Sequence, residues 1–422
     1  MSKRTGHFKI RYIILGFLGA AVLAALVFMR FGGFGTGKTA DIEAFAAYAQ
    51  PVEEIAIPEN AKIIALGEAA HGNVEFQQLK LEVFKQMVER YGVRAFALEG
   101  DYGGCEQVNR YIHGGKGTAR EAASAIGFAI YRTDEMAALI SYMREYNEGA
   151  SEGEDICFYG FDMQRISHSF QFLMEACTEF EIDTTNLQEL VEGETLGSEY
   201  DFPAQTEILA QIKNQLEHRG ASDKVIHYAD MLLQYCELQA LMESDEGGAM
   251  DEAGLLRDKF MAANAQWILD QERQRGHERI FVTGHNSHVA KWGSYDSMGK
   301  ILSREAENSY YVIGTDFYKS CCNMPARSPE RRTNQVFYSH DPLAKAAKLA
   351  GFDICWLDFA KVPENSELGG QIYEYTYLGN LGEGYSTMMR IFPQSYRMFQ
   401  PPAVLYDSMI FVSEASPTKI FE

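Results

Sequence analysis

The stretch KIIALGEAAHG, residues 62–72, decides the fold. Lys62–Leu66 is a short apolar run of strand length, and Gly67 closes it. Downstream, Phe76, Leu79, Val83, Met87 and Tyr91 recur at helical spacing, which predicts a helix over 74–91. Asn73 is placed to cap that helix and Gly92 to stop it. A second apolar run, Arg94–Leu98, follows at once. The order strand, helix, strand predicts a β-α-β unit with parallel neighbours and a right-handed crossover. Further strands are expected at 156–159, 279–282, 310–313 and 354–357, with a helix at 135–146 between them. Residues 167–274 read as a helical insertion lobe, with helices at 205–218, 222–242 and 250–274. The expected class is α/β, a mostly parallel central sheet flanked by helices.

The polar motifs fall where the apolar runs end. Glu68 and His71 follow the first run, Glu99 and Asp101 the second, and Asp162 the run ending at Tyr159. His285 and His288 follow Val282, and Thr315 and Asp316 follow Ile313. In a parallel sheet these ends share the carboxyl edge, where open α/β folds bind ligands. Each residue alone has an ordinary reading as a helix cap or a solvated loop group; their convergence is what points to a site. Arg257 lies on a helix whose expected apolar stripe is Leu256, Phe260, Ala263 and Trp267, with Arg257, Met261 and Asn264 on the adjacent face.

The chain has no G-x-S-x-G elbow, no H-E-x-x-H pair, no phosphate-binding loop and no dinucleotide fingerprint. Imidazoles and carboxylates without an evident nucleophile fit general-base activation of water. The same two-His, two-Glu inventory fits a divalent metal that activates the water, and a cleft that binds without turnover is a third reading. The seven cysteines lack metal-ligand spacing and suggest no pairing; Cys157 and Cys355 sit in apolar runs and read as core.

Residues 1–30 carry Lys3, Arg4, Lys9, Arg11 and Arg30 and no acid; removing those five charges from the total of −21 leaves −26 for residues 31–422. So acidic a body repels phosphates, and no nucleic-acid partner is expected. The uncharged run Tyr12–Met29 would span about 27 Å as a helix, which predicts a transmembrane segment, and the basic residues before it hold that end in the cytoplasm. The expected localisation is a single-pass membrane protein with an extracytoplasmic body; the alternative is secretion after signal cleavage. Residues 31–50 read as a linker and lead-in, and 51–422 as the α/β domain.

Taken together, LGEAAHG, FALEGD, YRTDEM, FYGFDMQ, RDKFMAANAQW, GHNSHVAK, YVIGTDF and LYDSMIFV resemble, in order, the motifs of the erythromycin esterase family over about residues 55–415. The resemblance implies an α/β core with a helical lobe, a cleft between them, and hydrolysis of a small-molecule ester or macrolactone. It makes His71 the base that activates water. Glu68, Glu99, His285 and His288 complete the catalytic cluster, with Arg257 as a supporting cleft residue. Asp162 and Asp101 are expected beside the substrate. No cofactor or required metal is expected. An acidic surface would suit a cationic amino-sugar macrolide.

Overall fold

The computed structural model describes residues 14–25, 38–188, 201–243, 248–328, 331–390 and 392–421. Its centre is a sheet whose strands are β1 (Ile63–Glu68), β2 (Ala95–Asp101), β3 (Cys157–Asp162), β4 (Ile280–His285), β5 (Tyr310–Ser328), β6 (Arg331–Tyr338), β7 (Ile354–Asp358) and β10 (Ser408–Ala415). The strands run in the order β3-β2-β4-β1-β5-β10-β7, and β6 pairs with the far end of β5. The first six of that order are mutually parallel; β7 is antiparallel to β10 and β6 to β5. A separate ribbon pairs β8 (Thr376–Gly379) with β9 (Arg397–Gln400).

Strand residues alternate between two cores because successive side chains point to opposite faces. Ile63, Ala65, Ala95, Ala97, Ile280 and Val282 enter one core, whereas Ile64, Leu66, Phe96, Leu98 and Phe281 enter the other. Both faces are covered by helices, which explains why these strands are continuous apolar runs rather than alternating ones. Helix α1 (Val74–Tyr91) buries Phe76, Leu79, Val83 and Met87 as the periodicity predicts, and Gly92 ends it with φ of 65°. Asn73 begins α1 without capping it; its amide donates instead to the carbonyls of Cys321 and Ser416. Helices α2 (Tyr102–Ile112) and α3 (Asp134–Gly149) follow β2. The stretch expected to be helical contains α4 (Ser167–Glu179), α5 (Phe202–His218), α6 (Asp223–Met242) and α7 (Ala249–Gln274), and residues 189–200 and 244–247 within it lie outside the described residues.

Three expectations need correction. β1 and β2 are parallel but not neighbours, because β4 lies between them and pairs with both. On α7, the face turned inward carries Asp258, Met261, Ala262, Asn264, Ala265 and Ile268, while Leu256, Phe260 and Trp267 are half-buried and Ala263 is exposed. The large residues therefore mark the edge of the contact, and small ones its centre. At the amino terminus, residues 14–25 form a helix with every side chain exposed. The rest of the expected span lies outside the described residues, among which no helix is long and apolar enough to cross a membrane. The structure therefore does not support the expected transmembrane helix. All seven cysteines are free, and Cys157 and Cys355 are buried as expected.

Candidate active site

The carboxyl ends of β1, β2, β3 and β4 meet at one edge of the sheet, and a cavity of about 830 Å³ opens there, lined by His71, Glu99, Asp162, Arg257, His285 and His288 among others. Register sets the spacing. Glu68 at the end of β1 is opposite His285 at the end of β4, and Gly67 is opposite Gly284. A Cβ on Gly67 would lie 2.2 Å from Asn286 Oδ1, and one on Gly284 would lie 2.9 Å from Glu99 Oε2. The glycines let polar side chains from neighbouring strands cross the sheet edge. The loop after β1 is pinned to β5, where the Asn323 amide donates to the Gly72 carbonyl at 3.0 Å and Ala69 N–H to Thr315 Oγ1 at 2.9 Å.

Glu68 is held between Lys80 and His71. Its Oε2 accepts from Lys80 Nζ at 2.7 Å, and its Oε1 is 2.8 Å from His71 Nδ1. Burial pushes the carboxyl up, but Lys80 and then His71 outweigh it and hold it at about 2. A carboxylate only accepts, so His71 Nδ1 carries the hydrogen and Nε2 is the basic nitrogen. Burial draws the His71 pKa down, but Glu68 overrides this and raises it above 6.5. Gln77 bonds to Lys80 at 3.0 Å and donates to the His71 carbonyl at 3.2 Å, tying helix α1 to the loop.

Three imidazoles stand in the cluster in different electrostatic surroundings. His285 lies beside His71, ring centroids 4.9 Å apart. Burial, then the neighbouring His71, drive its pKa down to about 3, so the ring is neutral. Its Nδ1 accepts from the Ser287 amide at 3.4 Å and is 2.7 Å from Ser287 Oγ. That leaves the hydrogen on Nε2, which is buried without a hydrogen-bond partner among the described residues. His288 differs: Nδ1 is 2.7 Å from Asp258 Oδ1 and Nε2 is 3.4 Å from Glu99 Oε1. Burial opposes the charged ring, yet Glu99 and Asp258 raise its pKa.

Arg257 reaches in from α7 and joins two strand ends. Its Nη2 donates to Glu99 Oε1 at 2.9 Å and to Asp162 Oδ2 at 2.7 Å, and its Nε to Asp162 Oδ1 at 3.1 Å. Burial would raise the Glu99 carboxyl, but His288, Arg257 and His71 hold it far below the carboxylate range, helped by the His285 amide at 2.7 Å. Tyr131 donates to the Glu99 carbonyl at 2.6 Å and closes that side.

Of the residues the sequence singled out, seven thus meet in or directly behind the cavity: Glu68, His71, Glu99, Asp162, Arg257, His285 and His288. Asp101 does not line it; its Oδ2 accepts from the Gly104 amide at 2.7 Å as the N-cap of α2. Asp316 lies inside β5, which runs on past the end of β1, and does not line the cavity; it accepts from the amides of Phe317 and Gly379 and from Ser339. Lys80, Asp258 and Ser287 went unnoticed. Lys80 carried a signal, being a lysine at the apolar spacing of α1. Metal-ligand spacing among the described residues occurs at His113, Asp155 and Cys157, where Arg275 already donates to Asp155 at 2.9 Å. That group lies at the amino end of β3, opposite the cavity.

The family model for erythromycin esterase matches residues 88–415. The chain belongs to the erythromycin esterase family. The match takes in Glu99, Asp162, Arg257, His285 and His288, and begins after Glu68 and His71. This erythromycin esterase family member is 24% identical over 353 residues to erythromycin esterase type II of Escherichia coli, covering 72% of this chain and 82% of that protein. It is 23% identical over 407 residues to the putative hydrolase YbfO of Bacillus subtilis (strain 168), covering 86% and 85%. A Bacillus cereus protein of solved structure shares the fold, with a TM-score of 0.71 at 19% identity over 90% of this chain and 100% of that one.

Proposed function

We propose that the protein is a hydrolase that cleaves a small-molecule ester or lactone by direct attack of water activated at His71. The observation that carries this reading is the Glu68–His71 pair: a firmly ionised carboxylate fixes Nδ1–H, and the basic Nε2 belongs to a ring lining a large cavity. In the reaction, His71 Nε2 takes a proton from water as its oxygen attacks the ester carbonyl, and Glu68 stabilises the imidazolium that forms. The neutral His285, with an unengaged N–H 4.9 Å ring to ring from His71, suits the developing oxyanion. His71 then returns the proton to the leaving alcohol. Arg257 joins Glu99 and Asp162 on the second side of the site, where Glu99 and Asp258 favour the charged form of His288 against burial and Arg257. Membership of the erythromycin esterase family and similarity to a named esterase and a putative hydrolase support the hydrolytic class.

The basic, apolar pattern of residues 1–30 supports an extracytoplasmic body as part of this reading. The test of the activity is a mass-spectrometric screen of macrolides, lactones and simple esters against the wild type and His71→Ala, with and without chelator. The reading expects product from the wild type in both conditions and none from His71→Ala. Turnover by His71→Ala, or its loss with the chelator alone, would overturn it.

A further inference from the structure

Glu68 and helix α1 hold one side of His71. The rest of its loop is held by groups that the proposed chemistry leaves unused. Residues 69–72 bond to β5 on one flank and to the segment 380–385 on the other. The Leu381 amide donates to the Ala69 carbonyl at 2.7 Å, and Leu381 bridges to Ala70. On the β5 flank the Asn323 amide donates to the Gly72 carbonyl at 3.0 Å, and a Cβ on Gly72 would strike the Asn323 carbonyl. One side chain joins the two flanks. Arg332 of β6 donates from Nε to Asn323 Oδ1 at 2.6 Å and from Nη2 to the Asn323 carbonyl at 2.9 Å. The same guanidinium forks onto Glu383, Nη1 to Oε2 at 2.8 Å and Nη2 to Oε1 at 2.9 Å.

This pair differs from a surface ion pair in two ways. The Arg332 and Glu383 side chains are 9% and 34% exposed, and both line the cavity. Arg332 spreads its planar fork over acceptors from two segments, which a compact ammonium cannot reproduce. The charge of Glu383 also reaches the base. Burial opposes the charged ring of His71, and Glu68, then Glu99 and Glu383, favour it. The other groups around that ring are His285, its centroid 4.9 Å away, Lys80 behind Glu68, and the Cys322 thiol beside Gly72, which burial pushes up to about 12 and keeps neutral. Each carboxylate that acts on His71 thus has a cation of its own: Lys80 for Glu68, Arg257 for Glu99 and Arg332 for Glu383.

We propose that Arg332 is a positioning residue for the reaction at His71: it clasps the 380–385 segment to β5 around the His71 loop and balances the charge of Glu383 beside the ring. This rests on the reading of His71 as the base in ester hydrolysis. Arg332 acts through Asn323 and Glu383 rather than on the reacting atoms. Its loss has two separable consequences, a loosened loop and an unbalanced carboxylate near the base.

The test is an NMR titration of the His71 ring in the histidine-labelled full chain, its signal identified by its loss in His71→Asn. It is run beside kcat and KM on an ester the wild type cleaves, and circular dichroism verifies that each variant is folded. Arg332→Gln leaves Glu383 unbalanced and is expected to raise the His71 midpoint by about half a pH unit or more. It is also expected to lower kcat about tenfold, with KM changed less. Glu383→Gln leaves Arg332 unbalanced and is expected to lower the midpoint. The double variant removes both charges, so its midpoint is expected to return close to the wild type while kcat stays low. Arg332→Lys keeps the charge without the fork, and is expected to hold the midpoint and lose part of kcat. A merely structural role for Arg332 gives no such opposite shifts. Single variants that shift the midpoint the same way or not at all, or an Arg332→Gln protein with kcat within about twofold of the wild type, overturn the proposal. Should Arg332→Gln not fold, Glu383→Gln and Arg332→Lys decide: a midpoint that does not fall in the first, or full kcat in the second, is then the contradicting result. The titration does not require turnover. Opposite shifts with no ester cleaved would count against hydrolysis alone, and cleavage with unshifted midpoints would count against the clasp alone.

Discussion

Replacing Lys80 with Met removes one charge from the centre of the cluster and keeps most of the stem that packs there. Lys80 is 1% exposed and Glu68 2%, and their charged atoms are 2.7 Å apart. Taking one partner from such a buried pair leaves the other charge uncompensated, at a cost of about 3–5 kcal/mol. Lys80 is also the largest influence holding the Glu68 carboxyl at about 2 against burial. The sign of the pH effect follows. A carboxyl depressed in the folded state contributes stability that is present above about 4.5 and lost as pH falls toward about 2. Without Lys80 the folded-state value rises, so the contribution shrinks at neutral pH and the acid loss begins at higher pH. Urea unfolding at about pH 7 and pH 4.5 measures both. The double variant Lys80→Met with Glu68→Gln removes the stranded charge and is expected to be more stable than Lys80→Met alone, with a coupling of at least about 1 kcal/mol. A single-variant cost below about 1 kcal/mol, or strictly additive costs, would refute the reasoning.

Other outcomes follow from the same geometry. Asp101→Ala is expected to lose about 1 kcal/mol of stability through the helix cap while kcat/KM on a cleaved ester stays within about twofold, measured by urea melts and initial rates. Gly67→Ala places a Cβ 2.2 Å from Asn286 Oδ1 and 3.0 Å from Val289 Cγ2, and is expected to destabilise by about 1–3 kcal/mol in the same melts. An alkaline phosphatase reporter fused after residue 50 is expected to be active if the body is extracytoplasmic, and inactive if residues 1–30 do not export it.

The sequence was most legible where one local pattern carries one constraint. Apolar runs ending in glycine and a charged residue revealed the edge of the sheet, because parallel strands buried on both faces must be apolar until they emerge. That is why Glu68, Glu99, Asp162 and His285 were found together. The position of β4 between β1 and β2 was not legible, since it depends on pairing across more than 180 residues. Nor were the outer part of β5, β6 and the β8–β9 ribbon, whose exposed or mixed faces carry little periodic signal. The face of α7 was misread because Phe260 and Trp267 look more buried than Ala262 and Ala265, although the smaller pair allows the closer approach. Asp258 was overlooked for a related reason: on a helix rich in charge, nothing distinguishes the one carboxylate that turns inward.

The central claim is that neutral His71 takes the proton from water. Its most direct test is kcat/KM from about pH 5 to pH 9 for the wild type and His71→Asn on an ester from the screen. Because His71 is raised above 6.5 and must be unprotonated to act, wild-type kcat/KM is expected to rise with pH through a midpoint above that value. His71→Asn is expected to fall by about 100-fold or more and to lose that limb, with its melting temperature little changed. A flat wild-type profile, or an Asn variant within about threefold of the wild type, would contradict the account.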